Sequence, residues 1–177
     1  MEFVKATLND LHDIRNIIVL AIKHMKEENN NQWYDEDIIL NTTMKSINNN
    51  THYLVKENNE TIGMFSMIYG IDDTYNEIDG KWINNEKYVT IHKIAVKYFN
   101  KHIASKILDF VIKNAISNNI YNIRIDTHED NISMRKFLEK HQFIKCGIIS
   151  ITKDFNDTQS LRLAYQKILN TKKVDNV

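Results

Sequence analysis

The stretch that decides the fold begins Ile91-His92-Lys93-Ile94-Ala95-Val96, crosses the polar residues 97–102 and continues Ile103-Ala104-Ser105-Lys106-Ile107-Leu108. Its first part is apolar and rich in residues that favour strands. Its third part repeats apolar residues with the period of a helix, at positions 103, 104, 107, 108, 111, 112 and 115. The pattern predicts a strand, a tight turn and a helix. A helix that starts at such a turn favours a phosphate, because backbone N–H groups and the positive end of the helix dipole meet there. Most turns of this kind in α/β proteins nevertheless bind no ligand.

Length and composition limit the classes of protein to which this chain can belong. Its 177 residues are enough for one well-buried core, so we expect a single domain over residues 1–170 and a polar tail over 171–177. The 23 basic and 23 acidic residues cancel and form no long basic run, which argues against a nucleic-acid or membrane-surface partner. The single cysteine, Cys146, cannot form an internal disulfide, and the first residues show no signal peptide. We therefore expect a reduced, cytoplasmic protein.

The rest of the chain is read from apolar periodicity on both sides of this stretch. The elements predicted before it are a strand at 3–6, helices beginning after Thr7 and after Asp35, and a hairpin of strands 53–55 and 62–69. The elements predicted after it are a strand at 121–125, a short helix at 133–141, and strands at 143–151 and 162–165. Strand, helix and strand with a crossover of this length form a βαβ unit with parallel strands.

This order of elements, β-α-α-β-β-β-α-β-α-β-β, resembles the GNAT superfamily of N-acetyltransferases. The residues that carry the resemblance lie at 91–96 with 103–108, at 123–131, which reads Ile-Arg-Ile-Asp-Thr-His-Glu-Asp-Asn, and at 137–143, 73–75, 79–82 and 162–165. The resemblance implies an α/β (α+β) fold with a mixed central sheet of about seven strands, flanked by about four helices and splayed between the fourth and fifth strands. It covers nearly the whole chain.

The resemblance also implies acetyl-CoA as the acetyl donor and a set of residues that bind it. The backbone of Ile94, Ala95 and Val96 would pair with the pantetheine arm. The turn formed by Lys101, His102, Ile103, Ala104 and Ser105 would bind the pyrophosphate, and Asn131 would contact the donor as well. No metal is implied.

The chain departs from the family pattern in two ways. The pyrophosphate turn usually carries two glycines, which allow positive φ and close approach of amides to phosphate, but here it carries Asn100 and His102. Lys101 and a protonated His102 could compensate by charge, so the departure predicts weakened binding of the donor. The tyrosine that usually reprotonates the thiolate of CoA falls at Leu138, which has no proton to give. Because a thiol pKa is about 8.5, the thiolate can instead take its proton from water.

His92 is the candidate general base, because an acceptor amine must lose its proton before it can attack a thioester. Its unperturbed pKa of about 6.5 suits that task. A satisfied core or second-shell histidine explains the same residue equally well. Backbone N–H groups of the same strand would polarise the thioester carbonyl.

Aromatic residues in the two long irregular regions are candidates for an acceptor pocket. They are Trp33, Tyr34, Tyr75 and Trp82. Aromatic side chains beside loops are also commonly the edge of a core.

Two functions remain open. The first is an acetyl-CoA-dependent N-acetyltransferase that transfers the acetyl group to a primary amine by direct attack on the thioester. The second is a GNAT-like ligand or CoA-binding protein that has lost turnover. The acceptor amine cannot be identified from the residues, and exposed sheet edges in this fold class leave a homodimer open as well.

Overall fold

The structure, a computed structural model, describes residues 1–30 and 32–169; the predicted polar tail lies outside this range. The helices are α1 (Leu11–Glu27), α2 (Glu36–Asn48), α3 (Ile103–Ser117) and α4 (Ile132–Lys140). The strands are β1 (Glu2–Lys5), β2 (His52–Glu57), β3 (Glu60–Tyr69), β4 (Asp79–Gly80), β5 (Val89–Val96), β6 (Asn122–Thr127), β7 (Ile144–Ser150) and β8 (Leu161–Ile168). The strand predicted as the fourth is therefore β5.

The strands form a mixed sheet in the order β1-β2-β3-β5-β6-β8-β7-β4. β5 pairs in parallel with β6 at Val89↔Ile123 and Thr90↔Arg124, which confirms the predicted βαβ unit. The predicted mixed sheet with about four helices is confirmed, with eight strands rather than about seven. The additional strand, β4, has two residues and pairs with β7, and a Cβ on Gly80 would lie 2.3 Å from the carbonyl oxygen of Cys146. So short a pair shows no alternation that a sequence pattern could reveal.

The chain divides into two compact units, and it passes from one to the other inside β3, β5 and α3. The first comprises Met1–Ile68 and Ile91–Val111, and the second comprises Tyr69–Thr90 and Ile112–Val177. The predicted splay between the strands now numbered β5 and β6 remains a prediction.

The core of the first unit is formed by the apolar face of α1 against β2, β3 and β5. Ile14, Ile17 and Ile18 are at most 1% exposed, as their three- and four-residue spacing predicts for one helical face. α2 begins where Asp35 accepts hydrogen bonds from the N–H groups of Asp37 (2.9 Å) and Ile38 (3.1 Å), which confirms the predicted cap. These contacts fix α1 and α2 beside the strands that carry the candidate site.

The second unit has its own core, in which Tyr75, Trp82, Tyr88, Ile149 and Ala164 are buried. β8 lies between β6 and β7 and is antiparallel to both. Within the described ranges, no helix is long and apolar enough to cross a bilayer.

Candidate active site

The first unit contains most of the predicted strand, the turn and the first part of the helix. β5 ends at Val96, a short 3-10 turn covers Phe99–Lys101, and α3 begins at Ile103. The N–H of Lys106 donates to the carbonyl of His102 at 3.1 Å and closes the first turn of α3. The N–H groups of a first helical turn have no intrahelical acceptor, so this end of α3 favours an anion.

The turn adopts a left-handed backbone without a glycine. His102 has φ 54° and ψ 24°, and its side chain is exposed. For a residue with a Cβ, this conformation costs about 1–2 kcal/mol. The glycine-poor turn therefore keeps the local backbone geometry that a glycine would supply, but at the expense of strain at His102.

Contacts with β3 and α1 hold the turn in place. Lys97 forms an ion pair with Glu60, and the Tyr98 hydroxyl donates to the same carboxylate at 2.9 Å. These two donors hold the pKa of Glu60 below its usual value. The Phe99 ring lies 3.9 Å from the His24 ring, centroid to centroid. The exposed Lys101 therefore belongs to a turn that contacts β3 through Glu60 and α1 through His24.

Gly63 on β3 allows the start of α3 to approach the sheet. A Cβ at this position would lie 3.2 Å from Cγ2 of Ile103 and 3.3 Å from the carbonyl oxygen of Ala95. Gly63 therefore lies where Ile103 and the backbone of β5 approach β3 closely. Ala95 is 5% exposed and belongs to the core, whereas Ile94 and Val96 are half-buried.

His92 lies on β5 in the same unit and is half-buried. The residue after it, Lys93, has φ 55° although it belongs to the strand. The Lys93 ammonium donates to Ser46 Oγ at 3.2 Å and to the carbonyl oxygen of Thr42 at 3.4 Å. Burial lowers the pKa of Lys93 to about 8.

His52 on β2 is a second basic residue in this region, and it lies close enough to Lys93 for the two to interact electrostatically. Its side chain is fully buried, and Nδ1 lies 2.9 Å from Ser66 Oγ. Burial first, and then the charge of Lys93, lower the pKa of His52 to about 3. Sequence reasoning missed both residues, although a lysine inside an otherwise apolar strand was a visible signal.

Asn131 lies at the start of α4 in the second unit. Its side-chain oxygen accepts a hydrogen bond from the N–H of Met134 at 3.0 Å, and the residue is 7% exposed. The cap explains why α4 begins here. Leu138 is fully buried on the same helix.

Three of the four aromatic residues predicted to line an acceptor pocket lie in hydrophobic cores, and the fourth, Tyr34, is 69% exposed. Trp33 is 7% exposed in the first unit, and Tyr75 and Trp82 are 1% and 7% exposed in the second. The Tyr75 hydroxyl donates to Asp126 at 2.7 Å, and the Trp82 indole donates to the carbonyl of Tyr75 at 3.0 Å. The alternative interpretation, the edge of a core, accounts for this burial. Contact with an acceptor remains a prediction.

Comparison with known proteins identifies this arrangement. The sequence profile of the acetyltransferase (GNAT) family matches residues 18–143, which include β5, the turn, α3 and Asn131. The chain belongs to the GNAT acetyltransferase family. A search of curated proteins found no significant match.

Solved GNAT structures share the fold over almost the whole chain. A GNAT-family acetyltransferase from Streptococcus agalactiae 2603 is 27% identical with a TM-score of 0.81, and 96% of this chain and 95% of that chain are covered. One from Listeria monocytogenes 4b F2365 is 17% identical with a TM-score of 0.68, covering 95% and 94%. The PaiA N-acetyltransferase from Thermoplasma acidophilum, solved with coenzyme A, is 15% identical with a TM-score of 0.64, covering 94% and 98%. The last two establish the fold alone.

Proposed function

We propose that this GNAT protein is an N-acetyltransferase that moves the acetyl group of acetyl-CoA to a primary amine. The observation that carries the proposal is the strand, turn and helix from β5 to α3, which keeps a left-handed residue before the helix although the glycines are missing. Family membership supports the acetyl transfer itself. The PaiA N-acetyltransferase, which was solved with coenzyme A, supports the choice of donor.

In this proposal the donor is held mainly by backbone. The backbone groups of Ile94, Ala95 and Val96 pair with the amides of the pantetheine arm. The N–H groups from Ile103 to Ser105 bind the pyrophosphate, because they belong to the first turn of α3. Lys101 and His102 are exposed beside that turn and add positive charge when both are protonated.

The reaction needs a neutral amine and a polarised carbonyl. His92 takes the proton of the acceptor ammonium, directly or through water. The amine nitrogen then bonds to the thioester carbon while a β5 N–H stabilises the oxygen. The nitrogen loses its second proton to water, the C–S bond breaks, and CoA leaves as a thiolate. Water supplies its proton, because the residue of α4 at the usual position of the acid is the buried Leu138.

The competing function is a GNAT-fold protein that binds CoA or another ligand without turnover. Leu138 and the strained His102 favour it, because one removes a proton donor and the other strains the pyrophosphate turn. A measurement of turnover distinguishes the enzyme from the binding protein. Release of free CoA thiol from acetyl-CoA in the presence of amines supports the enzyme, and donor binding without thiol release supports the binding protein.

The proposal extends to domain organisation and compartment. We infer one domain over residues 1–170, because the family profile covers parts of both compact units. We place the reaction in the cytoplasm because Cys146 is a free cysteine, as in reducing compartments. A homodimer remains open.

Asn131→Asp tests whether Asn131 contacts the donor. Aspartate keeps the oxygen that caps α4, so the free energy of unfolding should change by less than about 0.5 kcal/mol. It loses the amide donor and adds a negative charge near the phosphate-bearing donor. We expect acetyl-CoA to bind about tenfold more weakly by calorimetry.

Asn41→Asp is the matched control, because Asn41 is exposed on α2 and undergoes the same change of charge. If the Asn131 and Asn41 variants bind acetyl-CoA with equal affinity, Asn131 does not contact the donor and serves only to cap α4.

A further inference from the structure

Lys93 combines two unfavourable features in one residue. Among the described residues, the other non-glycine residues with positive φ lie in turns or beside helix ends, whereas Lys93 lies within a strand. Its ammonium is also largely removed from water, which lowers its pKa to about 8. Strained and desolvated residues that persist in a fold are candidates for function.

The contacts of the Lys93 ammonium do not balance its charge. Its two acceptors, Ser46 Oγ at 3.2 Å and the Thr42 carbonyl at 3.4 Å, are neutral oxygens. Both distances exceed the 2.7–2.9 Å typical of bonds between an ammonium and a carboxylate, by roughly 0.3–0.7 Å. Within residues 1–30 and 32–169, no carboxylate pairs with Lys93.

The neighbouring His52 does not offset the charge of Lys93. His52 is neutral at physiological pH, because its pKa is lowered to about 3, and its Nε2 is buried without a hydrogen-bond partner. The cluster of Lys93, His52, Ser46 and Ser66 therefore carries a single positive charge and several unused or weakly used hydrogen-bonding groups. Its chemistry is complementary to a small anion.

We propose that Lys93 binds a carboxylate of the acceptor, which makes the preferred acceptor an α-amino acid. The inference rests on the proposed function, which assigns the next residues of β5, Ile94 to Val96, to the acetyl donor. A carboxylate at Lys93 and an amine at the thioester would then lie within the span of one small molecule. Because Lys93 is only half-buried, such a molecule can reach it.

The test compares each standard amino acid with its α-amide as acceptor, measured by release of CoA thiol. For wild type we expect kcat/KM to be higher for acids, and Lys93→Met should reduce the ratio of acid to amide about ten- to a hundredfold, through KM. The acid and the amide differ in the basicity of their amines, but this difference is the same for every protein variant. It therefore cancels when the acid-to-amide ratio of one variant is divided by that of another. Lys93→Arg should restore part of the ratio, and Lys45→Met, at an exposed position of α2, should leave it unchanged.

Dipeptides distinguish a free amino acid from a peptide end, because their carboxylate lies one residue further from the amine. We expect them to be poor acceptors whose rates do not respond to Lys93→Met. Dipeptides that are acetylated as well as amino acids, with the same dependence on Lys93, would overturn the assignment to free amino acids. An equal loss of rate for acids and amides in Lys93→Met would overturn the carboxylate site and assign Lys93 to positioning or proton transfer.

A binding measurement separates this inference from the proposed function. N-acetyl amino acids and N-acetyl amino-acid amides are titrated into the CoA-saturated protein by calorimetry, which requires no turnover. We expect the acids to bind wild type about tenfold more tightly than Lys93→Met, with no such difference for the amides. Equal binding to both proteins contradicts the carboxylate site. Absence of thiol release with every acceptor, in contrast, contradicts the proposed function.

Discussion

The wild type loses free energy of unfolding as the pH falls from about 7 to about 4.5. His52→Asn is expected to make this loss smaller by about 2.5 kcal/mol. His52 is fully buried and its pKa is lowered to about 3, chiefly by desolvation. The unfolded chain therefore binds a proton as the pH falls below about 6.5, whereas the folded protein does not. The contribution of His52 to the free energy of unfolding is therefore complete above the pKa of the unfolded chain, about 6.5. It falls progressively as the pH approaches the folded pKa of about 3.

The measurement is urea unfolding across this range of pH for wild type and variant. Asparagine can place an amide nitrogen near the position of Nδ1 and so keep the contact with Ser66. His12→Asn is the control, because His12 is exposed on α1. It should lose stability in acid as the wild type does. An unchanged acid sensitivity in His52→Asn would mean that His52 becomes protonated inside the folded protein, contrary to its burial without a charged partner.

Lys93→Met is expected to raise the free energy of unfolding at about pH 7 by about 2 kcal/mol. A folded pKa of about 8 against about 10.4 in the unfolded chain corresponds to about 3 kcal/mol, from which the loss of two weak hydrogen bonds subtracts about 1 kcal/mol. Because the folded pKa is depressed, the unfolded state binds more protons between these values. The stability of the wild type should therefore rise relative to the variant as the pH rises from about 8 to about 10.5.

The same unfolding experiment at neutral and alkaline pH tests this expectation. The buried Tyr75, whose pKa is raised by burial and by Asp126, acts in the opposite direction above about pH 10. Its effect is common to both proteins and cancels in their difference. Lys45→Met controls for the loss of a lysine on the surface. A destabilised Lys93→Met protein at neutral pH would show that the ammonium holds β5 to α2, rather than being tolerated for another purpose.

Local patterns predicted most of the fold because its elements are long and periodic. α1 and α3 carry apolar faces at helical spacing, and Asp35 precedes a helix that its side chain caps. The turn between β5 and α3 was located from the apolar patterns on either side of it. Its backbone was not, because nothing in the sequence requires a histidine to take the left-handed conformation that His102 adopts.

The candidate site was less predictable because its chemistry depends on burial. Lys93 and His52 are far apart in sequence and are brought together by β2 and β5, so their lowered pKa values could not be read from spacing. For Tyr75 and Trp82, the sequence predicted a pocket position and burial instead placed them in a core. They lie in an irregular region of the sequence, yet the second unit buries them.

Calorimetric titration of the purified protein with acetyl-CoA tests the central claim most directly. We expect a dissociation constant in the micromolar range, about 8 kcal/mol of binding free energy, because the first turn of α3 and Lys101 still present an anion site. No detectable binding at millimolar acetyl-CoA would contradict the account and would leave a GNAT fold that serves another purpose.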